Sequence, residues 1–193
     1  MNYKIVKVFL AKIPEKIEYK PLYPSERFEE ISSCKSEKVK RQKYAVWELL
    51  KYVLEKEYNL RFENIKFTKS VNGKWLANCI YFSLAHSGDY VAVCVDNRPI
   101  GLDIEYINEQ KMTNKLLYYI TTNIEKQAYN DEPTAAQIAM LWAKKEAIFK
   151  FLNKPFFKPS NIEIKDYVTA TEVKNDLIVS VCGEVEKIEI INL

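Results

Sequence analysis

Apolar and polar positions along the chain recur with two periods, which predict a mixture of strands and helices. A period of two indicates a strand, and a period of about 3.6 indicates a helix. The predicted elements of the first half are a strand at 1–10, a long helix at about 36–58, and strands near 64–70, 80–86 and 90–96. Those of the second half are a strand at 99–107, helices near 112–130 and 134–152, and strands near 161–166, 177–183 and 185–192. Because the halves repeat one order, we expect an α+β fold of two lobes, residues 1–98 and 99–193.

The predicted strand at 99–107 carries two acidic residues, Asp103 and Glu105, separated by one apolar residue. Because side chains alternate across a strand, both carboxylates point to the same face. Two ionised carboxylates this close repel each other, and a hard cation with oxygen ligands relieves the repulsion. Gly101 in the same strand is expected to leave that face open for a ligand.

The predicted helix at 134–152 carries a second set of charged residues. Trp142, Glu146 and Lys150 follow one another at intervals of four, so they form a ridge along one side of the helix. A carboxylate and an ammonium group one turn apart can serve a metal ion and the phosphate beside it. Lys145 is rotated by about 100° from Glu146, so it would reach the same ligand only from the side.

A third segment, Phe82-Ser83-Leu84-Ala85-His86-Ser87-Gly88, contains the one histidine of the chain. Together the three segments supply an imidazole, three carboxylates and the lysines Lys145 and Lys150, a set able to hold a divalent cation against a diphosphate. Each segment taken alone has an ordinary interpretation. An isolated D-x-E pair usually faces solvent, a surface Glu–Lys pair contributes only about 0.3–0.5 kcal/mol, and a lone histidine is usually structural. The conjunction of all three segments favours a site.

These segments resemble the 4′-phosphopantetheinyl transferases, and in particular the larger Sfp-type branch. That family shows an aromatic-S-x-S-H segment, then G-x-D-x-E, then W-x-x-K-E-A/S-x-x-K, and this chain carries all three in order between about Lys35 and Leu152. Lys74 follows a glycine where the family has G-K-P. Two positions depart from the pattern, because Ala85 replaces the second serine of S-x-S-H and Trp75 replaces the proline.

The resemblance implies a fold and a reaction. Larger members of the family fold as a pseudo-dimer of two similar α+β lobes, with the site at their junction. They transfer the 4′-phosphopantetheine arm of coenzyme A to a serine of an apo acyl or peptidyl carrier protein and release 3′,5′-ADP. The chain is accordingly expected to be a magnesium-dependent holo-carrier-protein synthase that serves fatty acid, polyketide or nonribosomal peptide biosynthesis.

Carried onto the matching positions, the resemblance also implies functions for individual residues. Asp103, Glu105 and Glu146 would hold Mg²⁺, with Mn²⁺ as an alternative ion, and Glu146 would act as general base directly or through a water. Lys150 and Lys145 would neutralise charge on the departing phosphate. The other residues expected to bind coenzyme A are His86, Lys74 and Ser83.

Basic residues cluster at the start of the long helix of the first half. They are Lys35, Lys38, Lys40, Arg41 and Lys43. The cluster is either a solvated basic face or an anchor for the 3′-phosphate of coenzyme A or for an acidic carrier protein. Lys43 and Lys51 are the expected contacts in the second case. The formal net charge of +3 is too small to indicate nucleic acid as a partner.

Cysteine usage and hydropathy indicate in which cellular compartment the protein is expected to lie. The four cysteines, Cys34, Cys79, Cys94 and Cys182, are scattered without a C-x-x-C pair, so neither a zinc site nor a disulfide framework is implied. The first ten residues alternate as a strand does and are not expected to be a signal peptide. No stretch approaches the roughly 20 apolar residues of a membrane span. We expect a monomeric cytoplasmic protein with no membrane partner.

The sequence leaves two other functions open. A binding or regulatory protein of the same fold with weakened turnover is one, because Ala85 lacks the hydroxyl of the family pattern. A metal-dependent phosphoesterase or nuclease that uses the same acids with water as acceptor is the other. The second alternative leaves His86 and Lys74 unexplained. The identity of the carrier protein is not indicated by any segment.

Overall fold

The computed structural model describes residues 4–71, 73–128 and 133–193. The helices and strands are β1 (Ile5–Lys12), α1 (Ser25–Ser32), α2 (Glu37–Lys56), β2 (Phe67–Lys69), β3 (Trp75–Ala77), β4 (Tyr81–Ser87), β5 (Tyr90–Asp96), β6 (Gly101–Tyr106), α3 (Asn114–Ile120), α4 (Asn123–Ala128), α5 (Ala135–Leu152), β7 (Thr169–Lys174), β8 (Leu177–Cys182) and β9 (Lys187–Asn192). Short 3₁₀ helices lie at Phe62–Asn64, Pro159–Asn161 and Ile164–Asp166. Of the helices within the described ranges, none has the length and apolar character needed to span a membrane.

Most of the predicted elements are confirmed, including the strand with the acidic pair and the two long helices. The predicted helix at 112–130 is instead two short helices, α3 and α4, and residues 129–130 lie outside the described residues. The break has a local cause. Thr122 Oγ1 accepts a hydrogen bond from Glu125 N, and Glu125 Oε2 accepts one from Thr122 N, so this reciprocal cap starts a new helix.

Other parts of the prediction also differ from the structure. The segment predicted as a strand at 161–166 contains 3₁₀ turns, and the strand β7 after it is absent from the predicted elements. Helix α1 is also absent from them, because this short helix contains only two apolar residues, Phe28 and Ile31. The strand predicted near 64–70 is confined to 67–69.

One four-stranded sheet combines three strands of the first half with β9 of the second half, in the order β4-β5-β1-β9. Neighbouring strands are antiparallel except for β1 and β9, which are parallel, with Val8 opposite Ile190. Because β9 follows all the other strands in the sequence, the chain crosses back from the second half to complete the sheet of the first. The predicted lobes 1–98 and 99–193 are therefore joined by this strand.

The second half builds a three-stranded antiparallel sheet in the order β6-β8-β7. Apolar side chains of the two sheets share one buried core, which includes Val8, Ala92, Leu102, Ile104 and Val179. Helix α2 packs on the other face of the first sheet, and α5 packs on the other face of the second. The expected α+β fold is therefore confirmed, as two helix-covered sheets that pack against each other.

Two serines connect the edges of the two sheets. Ser83 Oγ accepts a hydrogen bond from the backbone N–H of Leu102 at 2.9 Å, and Ser87 Oγ accepts one from Tyr106 N at 3.1 Å. Both contacts link β4 to β6 with the same offset of 19 residues. Strand β4, which carries His86, is thereby held alongside the strand that carries the acidic pair.

Candidate active site

Asp103 and Glu105 project from β6 toward helix α5. Their neighbours Leu102 and Ile104 are buried in the core between the two sheets, so the acidic side chains lie on the opposite face of the strand. Strand β6 packs closely against α5 on this face. Lys150 of α5 joins the two elements, with its Nζ 2.8 Å from Asp103 Oδ1.

Helix α5 has well-defined ends that set the position of its charged residues. At its start, Thr134 Oγ1 accepts a hydrogen bond from Gln137 N, and Gln137 Oε1 accepts one from Thr134 N, which is a capping box. At its end, Asn153 takes the left-handed conformation with φ of 51°. Glu146 and Lys150 lie one turn apart between these caps, on one ridge, as predicted.

Gly101 sets how closely β6 and α5 approach each other. A Cβ at this position would lie 2.0 Å from the carbonyl oxygen of Ala147 and 2.6 Å from the backbone nitrogen of Phe151. Both distances are far below van der Waals contact, so a glycine is needed for the helix to pack against the strand here. The expectation that Gly101 leaves this face open for a ligand is therefore wrong, because the helix backbone fills the space.

The acidic side chains of β6 and α5 disfavour one another's charged forms. Burial raises the pKa of Asp103, and the charge of Lys150 opposes that rise. The pKa of Glu105 is raised to about 7, first by burial and then by the charge of Asp103. The pKa of Glu146 is raised to about 7 by burial and by Asp103, against the charge of Lys150. The three carboxylates therefore lie within electrostatic reach of one another and lack sufficient positive charge.

The donor chemistry of this acidic cluster suits a hard divalent cation. Asp103 is 6% exposed, and its Oδ2 is buried without a hydrogen-bond partner among the described residues. Such an orphaned carboxylate oxygen is rare, and oxygen ligands are those that Mg²⁺ prefers. Within residues 4–71, 73–128 and 133–193, no group of three histidine, cysteine, aspartate or glutamate side chains has an arrangement that could hold a metal ion. The ammonium of Lys150 instead supplies the positive charge at Asp103 Oδ1.

His86 lies on β4 with its side chain at the surface. Its pKa is lowered to about 4, first by partial removal from water and then by the positive charges of Lys150, Lys43 and Arg27. Cations from both halves of the chain therefore act on the imidazole. A surface where cations gather around a neutral histidine is suited to an anionic ligand such as a phosphate.

Lys74 connects the first half of the chain to the C-terminal end of α5. Its Nζ donates a hydrogen bond to the backbone carbonyl of Lys150 at 2.5 Å. A cavity of about 300 Å³ lies beside this contact, and its lining includes both lysines with Trp75, Phe82 and Phe149. The cavity and the acidic cluster therefore meet at Lys150, between the β3–β4 region and the end of α5.

Lys145 lies apart from the acidic cluster. Its side chain is 0% exposed, and its Nζ donates to Glu125 Oε2, Pro159 O and Ile162 O at 2.5, 3.0 and 2.9 Å. An ammonium group has three N–H donors, so these contacts satisfy it fully. The structure thus uses Lys145 to join α5 to α4 and to the segment after α5. This placement does not support the predicted contact of Lys145 with coenzyme A.

Ser83 and Ala85 both face away from the surface that carries His86. Ser83 is buried, and its hydroxyl is engaged with β6. Ala85 is 3% exposed and packs in the core between the two sheets. The hydroxyl that the family pattern has at position 85 would therefore point into that core in this chain. The predicted contact of Ser83 with coenzyme A is not supported by its position.

The two lysines proposed from the basic cluster of α2 have different surroundings. Lys43 Nζ pairs with Glu30 Oε1 at 3.0 Å and acts on His86. Lys51 Nζ pairs with Glu63 Oε1 at 3.3 Å at the surface, and it is not among the charges that act on His86. The structure therefore brings Lys43, but not Lys51, toward the candidate site. The Glu30 partner lies on α1, which the sequence pattern does not predict.

The second half of the chain is similar to a known protein family. A family model described as the 4′-phosphopantetheinyl transferase superfamily matches residues 99–187. That range contains β6 and α5, and with them Asp103, Glu105, Glu146 and Lys150. Residues 99–187 belong to the 4′-phosphopantetheinyl transferase superfamily.

The chain is also similar to curated 4′-phosphopantetheinyl transferases of the Sfp type. It is 33% identical over 112 residues to the 4′-phosphopantetheinyl transferase psf-1 of Bacillus pumilus, covering 55% of this chain and 47% of that protein. It is 29% identical over 115 residues to gsp of Aneurinibacillus migulanus (58% and 48% covered) and 27% identical over 109 residues to Sfp of Bacillus subtilis (53% and 47% covered). The chain spans about half the length of the curated relatives that it matches.

Proposed function

We propose that this protein transfers the 4′-phosphopantetheine arm of coenzyme A to a serine of an apo carrier protein and releases 3′,5′-ADP. The observation that carries the proposal is the contact of Lys150 with Asp103, beside Glu105 and Glu146. This contact puts acids suited to a divalent cation next to an ammonium group suited to phosphate. The same arrangement lies near the cation-rich surface around His86.

Asp103, Glu105 and Glu146 are the residues that would hold Mg²⁺, or Mn²⁺ as an alternative. When bound, the ion would supply positive charge to the diphosphate of coenzyme A and act as a Lewis acid. Two observations support this assignment: the orphaned Asp103 Oδ2 and the raised pKa values of both glutamates. Both features fit residues that would hold a cation, because Asp103 Oδ2 would gain a partner and the ionised forms of Glu105 and Glu146 would be favoured.

Glu146, directly or through a water, is the proposed general base. A carboxylate with a pKa of about 7 can both accept and release a proton near neutral pH. In the transfer, the carrier serine gives its proton to Glu146 as its oxygen bonds to the β-phosphorus. The bond between that phosphorus and the bridging oxygen breaks, and 3′,5′-ADP leaves with the electron pair.

Lys150 is the proposed electrostatic partner of the departing phosphate. Burial lowers its pKa, but the charges of Asp103 and Glu146 outweigh this effect, so its pKa is raised and the side chain stays charged. A preorganised charge of this kind typically contributes about 10²–10³ in rate. Lys74 and His86 would contact other phosphate oxygens of the cosubstrate. His86, with a pKa of about 4 in the free protein, would enter this contact as a neutral donor.

The proposed partners are coenzyme A and an apo acyl or peptidyl carrier protein. We propose that the protein acts as a monomer in the cytoplasm and binds neither nucleic acid nor a membrane.

The alternative of a weakened binding protein depends on the missing hydroxyl at Ala85. Because Ala85 packs in the core between the sheets, that substitution leaves the surface around His86 unchanged and no longer favours the alternative. The phosphoesterase alternative is separated by experiment.

The test incubates the protein with coenzyme A, Mg²⁺ and each of a panel of apo carrier proteins, and measures the mass of every carrier. Metal-assisted transfer adds about 340 Da to the carrier and releases one 3′,5′-ADP for each carrier modified. Nucleotide release without any carrier supports a hydrolase instead. Binding of coenzyme A without added mass on any carrier supports a binding protein.

Two variants connect the activity to the acidic cluster. Asp103→Asn and Glu146→Gln are each expected to abolish transfer while circular dichroism shows an intact fold. Glu172→Gln, in an exposed position on β7 of the same sheet, is the matched control and is expected to keep wild-type turnover. Turnover retained in Asp103→Asn or Glu146→Gln contradicts the assignment of that residue.

A further inference from the structure

Glu30 of helix α1 receives four hydrogen bonds from side chains of the first half of the chain. Its Oε1 accepts from Arg27 Nη1 at 3.1 Å and from Lys43 Nζ at 3.0 Å. Its Oε2 accepts from Lys69 Nζ at 3.0 Å and from Trp75 Nε1 at 3.1 Å. One carboxylate thus ties together α1, α2 and the β2–β3 hairpin. We call these five residues the Glu30 cluster.

The Glu30 cluster carries an excess of positive charge. Burial raises the pKa of Glu30, but hydrogen bonds from Lys43, Lys69 and Trp75 and the charge of Arg27 outweigh burial and lower this pKa to about 2. Glu30 is therefore ionised at neutral pH. Its three cationic partners exceed its single negative charge by two. The cluster as a whole is therefore positive.

This positive charge extends to the candidate active site in two ways. After burial and Lys150, the charge of Lys43 lowers the pKa of His86, so the field of the cluster reaches the imidazole. The cluster also holds the β2–β3 hairpin. Lys74 lies within this hairpin, directly before β3, and its Nζ donates a hydrogen bond to the backbone carbonyl of Lys150. The position of Lys74 therefore depends on how the hairpin is anchored.

Ion pairs with Glu30 offset the repulsion among the cations of the cluster. Two further contacts add to these ion pairs, because Arg27 Nη2 donates to the backbone carbonyl of Lys43 and Lys69 Nζ lies over the Trp75 ring. Lys43 and Lys69 lie on separate elements, repel each other, and lose the entropy of several rotamers when held in one geometry. The carboxylate of Glu30 bridges them with both of its oxygens. A positive surface fixed in advance binds an anion more tightly, because less order is lost on binding.

We infer that Glu30 is a positioning residue for the anionic cosubstrate of the proposed transfer. It holds Lys43 and the Lys74 hairpin in the arrangement that receives the phosphates of coenzyme A, and it takes no part in the chemical step. The inference rests on the proposed function.

The first experiment compares the wild-type chain with Glu30→Gln, which keeps the size of the side chain but removes its charge. Asp96→Asn is the matched control. Asp96 pairs with Lys4 at 2.9 Å, and it lies opposite Tyr81, at the other end of the β4–β5 hairpin from His86. Thermal unfolding compares the loss of stability in the two variants.

The kinetic readout is the split between KM and kcat for coenzyme A. Losing a charge-assisted anchor is expected to raise KM about tenfold in Glu30→Gln, with kcat changed by less than about twofold. Calorimetry with 3′,5′-ADP is expected to show the same loss in affinity without requiring turnover. Asp96→Asn is expected to keep both values. An unchanged KM and an unchanged affinity in Glu30→Gln overturn the inference, because Glu30 then supports only the fold.

Chemical rescue supplies a second measurement. Glu30→Ala leaves a space the size of a carboxylate between the four donors, so formate is expected to restore 3′,5′-ADP binding in this variant but not in Glu30→Gln. Failure of rescue in a folded Glu30→Ala variant counts against the inference. A wild-type chain that binds 3′,5′-ADP but transfers nothing contradicts the proposed function alone, and the binding data still decide on Glu30. A wild-type chain that binds no 3′,5′-ADP contradicts both.

Discussion

Lys74 Nζ lies 2.5 Å from the backbone carbonyl oxygen of Lys150 and joins the two halves of the chain at the candidate active site. Lys150 lies in the last turn of α5, where carbonyl groups lack partners within the helix and the helix dipole favours a cation. The same Lys150 extends its ammonium group to Asp103 on β6. Lys150 therefore connects the β2–β3 hairpin of the first half, helix α5 and strand β6.

Replacement of Lys150 by methionine is expected to lower both activity and stability. Transfer falls by about 10²–10³ because the charge on the departing phosphate loses its partner. The free energy of unfolding of the metal-free protein falls by about 3 kcal/mol at pH 8, because the buried carboxylate of Asp103 is left unpaired. Single-turnover assays and urea unfolding measure the two effects. Lys150→Arg keeps the charge and is expected to recover part of the activity and part of the stability. Wild-type turnover in Lys150→Met would falsify the proposed function of this lysine.

The stability of the metal-free protein is expected to depend on pH through the acidic cluster. Glu105 and Glu146 have pKa values raised to about 7 in the fold, above their ordinary value of 4.5. The folded state therefore holds these protons more tightly, so their contribution is fully present below about pH 4.5 and is lost as pH rises through 7. Urea unfolding between pH 5 and pH 8 measures this decline, and Mg²⁺ is expected to stabilise the protein more at pH 8 than at pH 5.

His86 requires a control in that titration because its pKa is shifted in the opposite direction. Its folded value of about 4 lies below the ordinary 6.5, so its contribution rises with pH between these values. The double variant Glu105→Gln, Glu146→Gln keeps His86 and removes the two acids. The free energy of unfolding of this double variant is expected not to decline as pH rises toward 7. An equal decline in the double variant and the wild type places its origin outside the acidic cluster.

Gly101→Ala is expected to destabilise the protein because the new methyl group meets the backbone of α5 at 2.0 Å. The free energy of unfolding should fall by about 3 kcal/mol, and transfer should weaken because the helix that carries Glu146 and Lys150 must shift. Gly73→Ala is the control for stability, because its nearest neighbour would be Lys69 Cε at 3.8 Å and only its φ of +84° is unfavourable. That change should cost about 1 kcal/mol. Equal losses in the two variants argue against close packing at Gly101.

Lys145→Met separates a structural function from a cofactor contact. The structure predicts a loss of about 3 kcal/mol in the free energy of unfolding, because Glu125 keeps its partly buried charge without its partner. It also predicts an unchanged KM for coenzyme A in the folded fraction. Lys144→Met, at the neighbouring position, is the control. A raised KM with unchanged stability supports instead the cosubstrate contact that the family resemblance implies.

Local sequence patterns were sufficient to predict the strand and the helix that carry the acidic cluster. Alternation along residues 99–107 places Asp103 and Glu105 on one face, and the four-residue interval places Glu146 and Lys150 on one ridge. Such patterns depend only on the geometry of one strand or one helix. They were insufficient to predict α1 and β7, which are short and contain few apolar residues.

The sequence by itself determined the secondary structure around the site and the residue types available for its chemistry. Only the tertiary structure decided which of those residues meet. Lys145 and Lys150 are both helical lysines of one motif, yet one is buried against Glu125 and the other reaches Asp103. Glu30 is distinguished only by its hydrogen bonds from residues on three other elements. The reason is physical: a period describes neighbours within one element, whereas burial and ion pairs depend on segments that are brought together only when the chain folds.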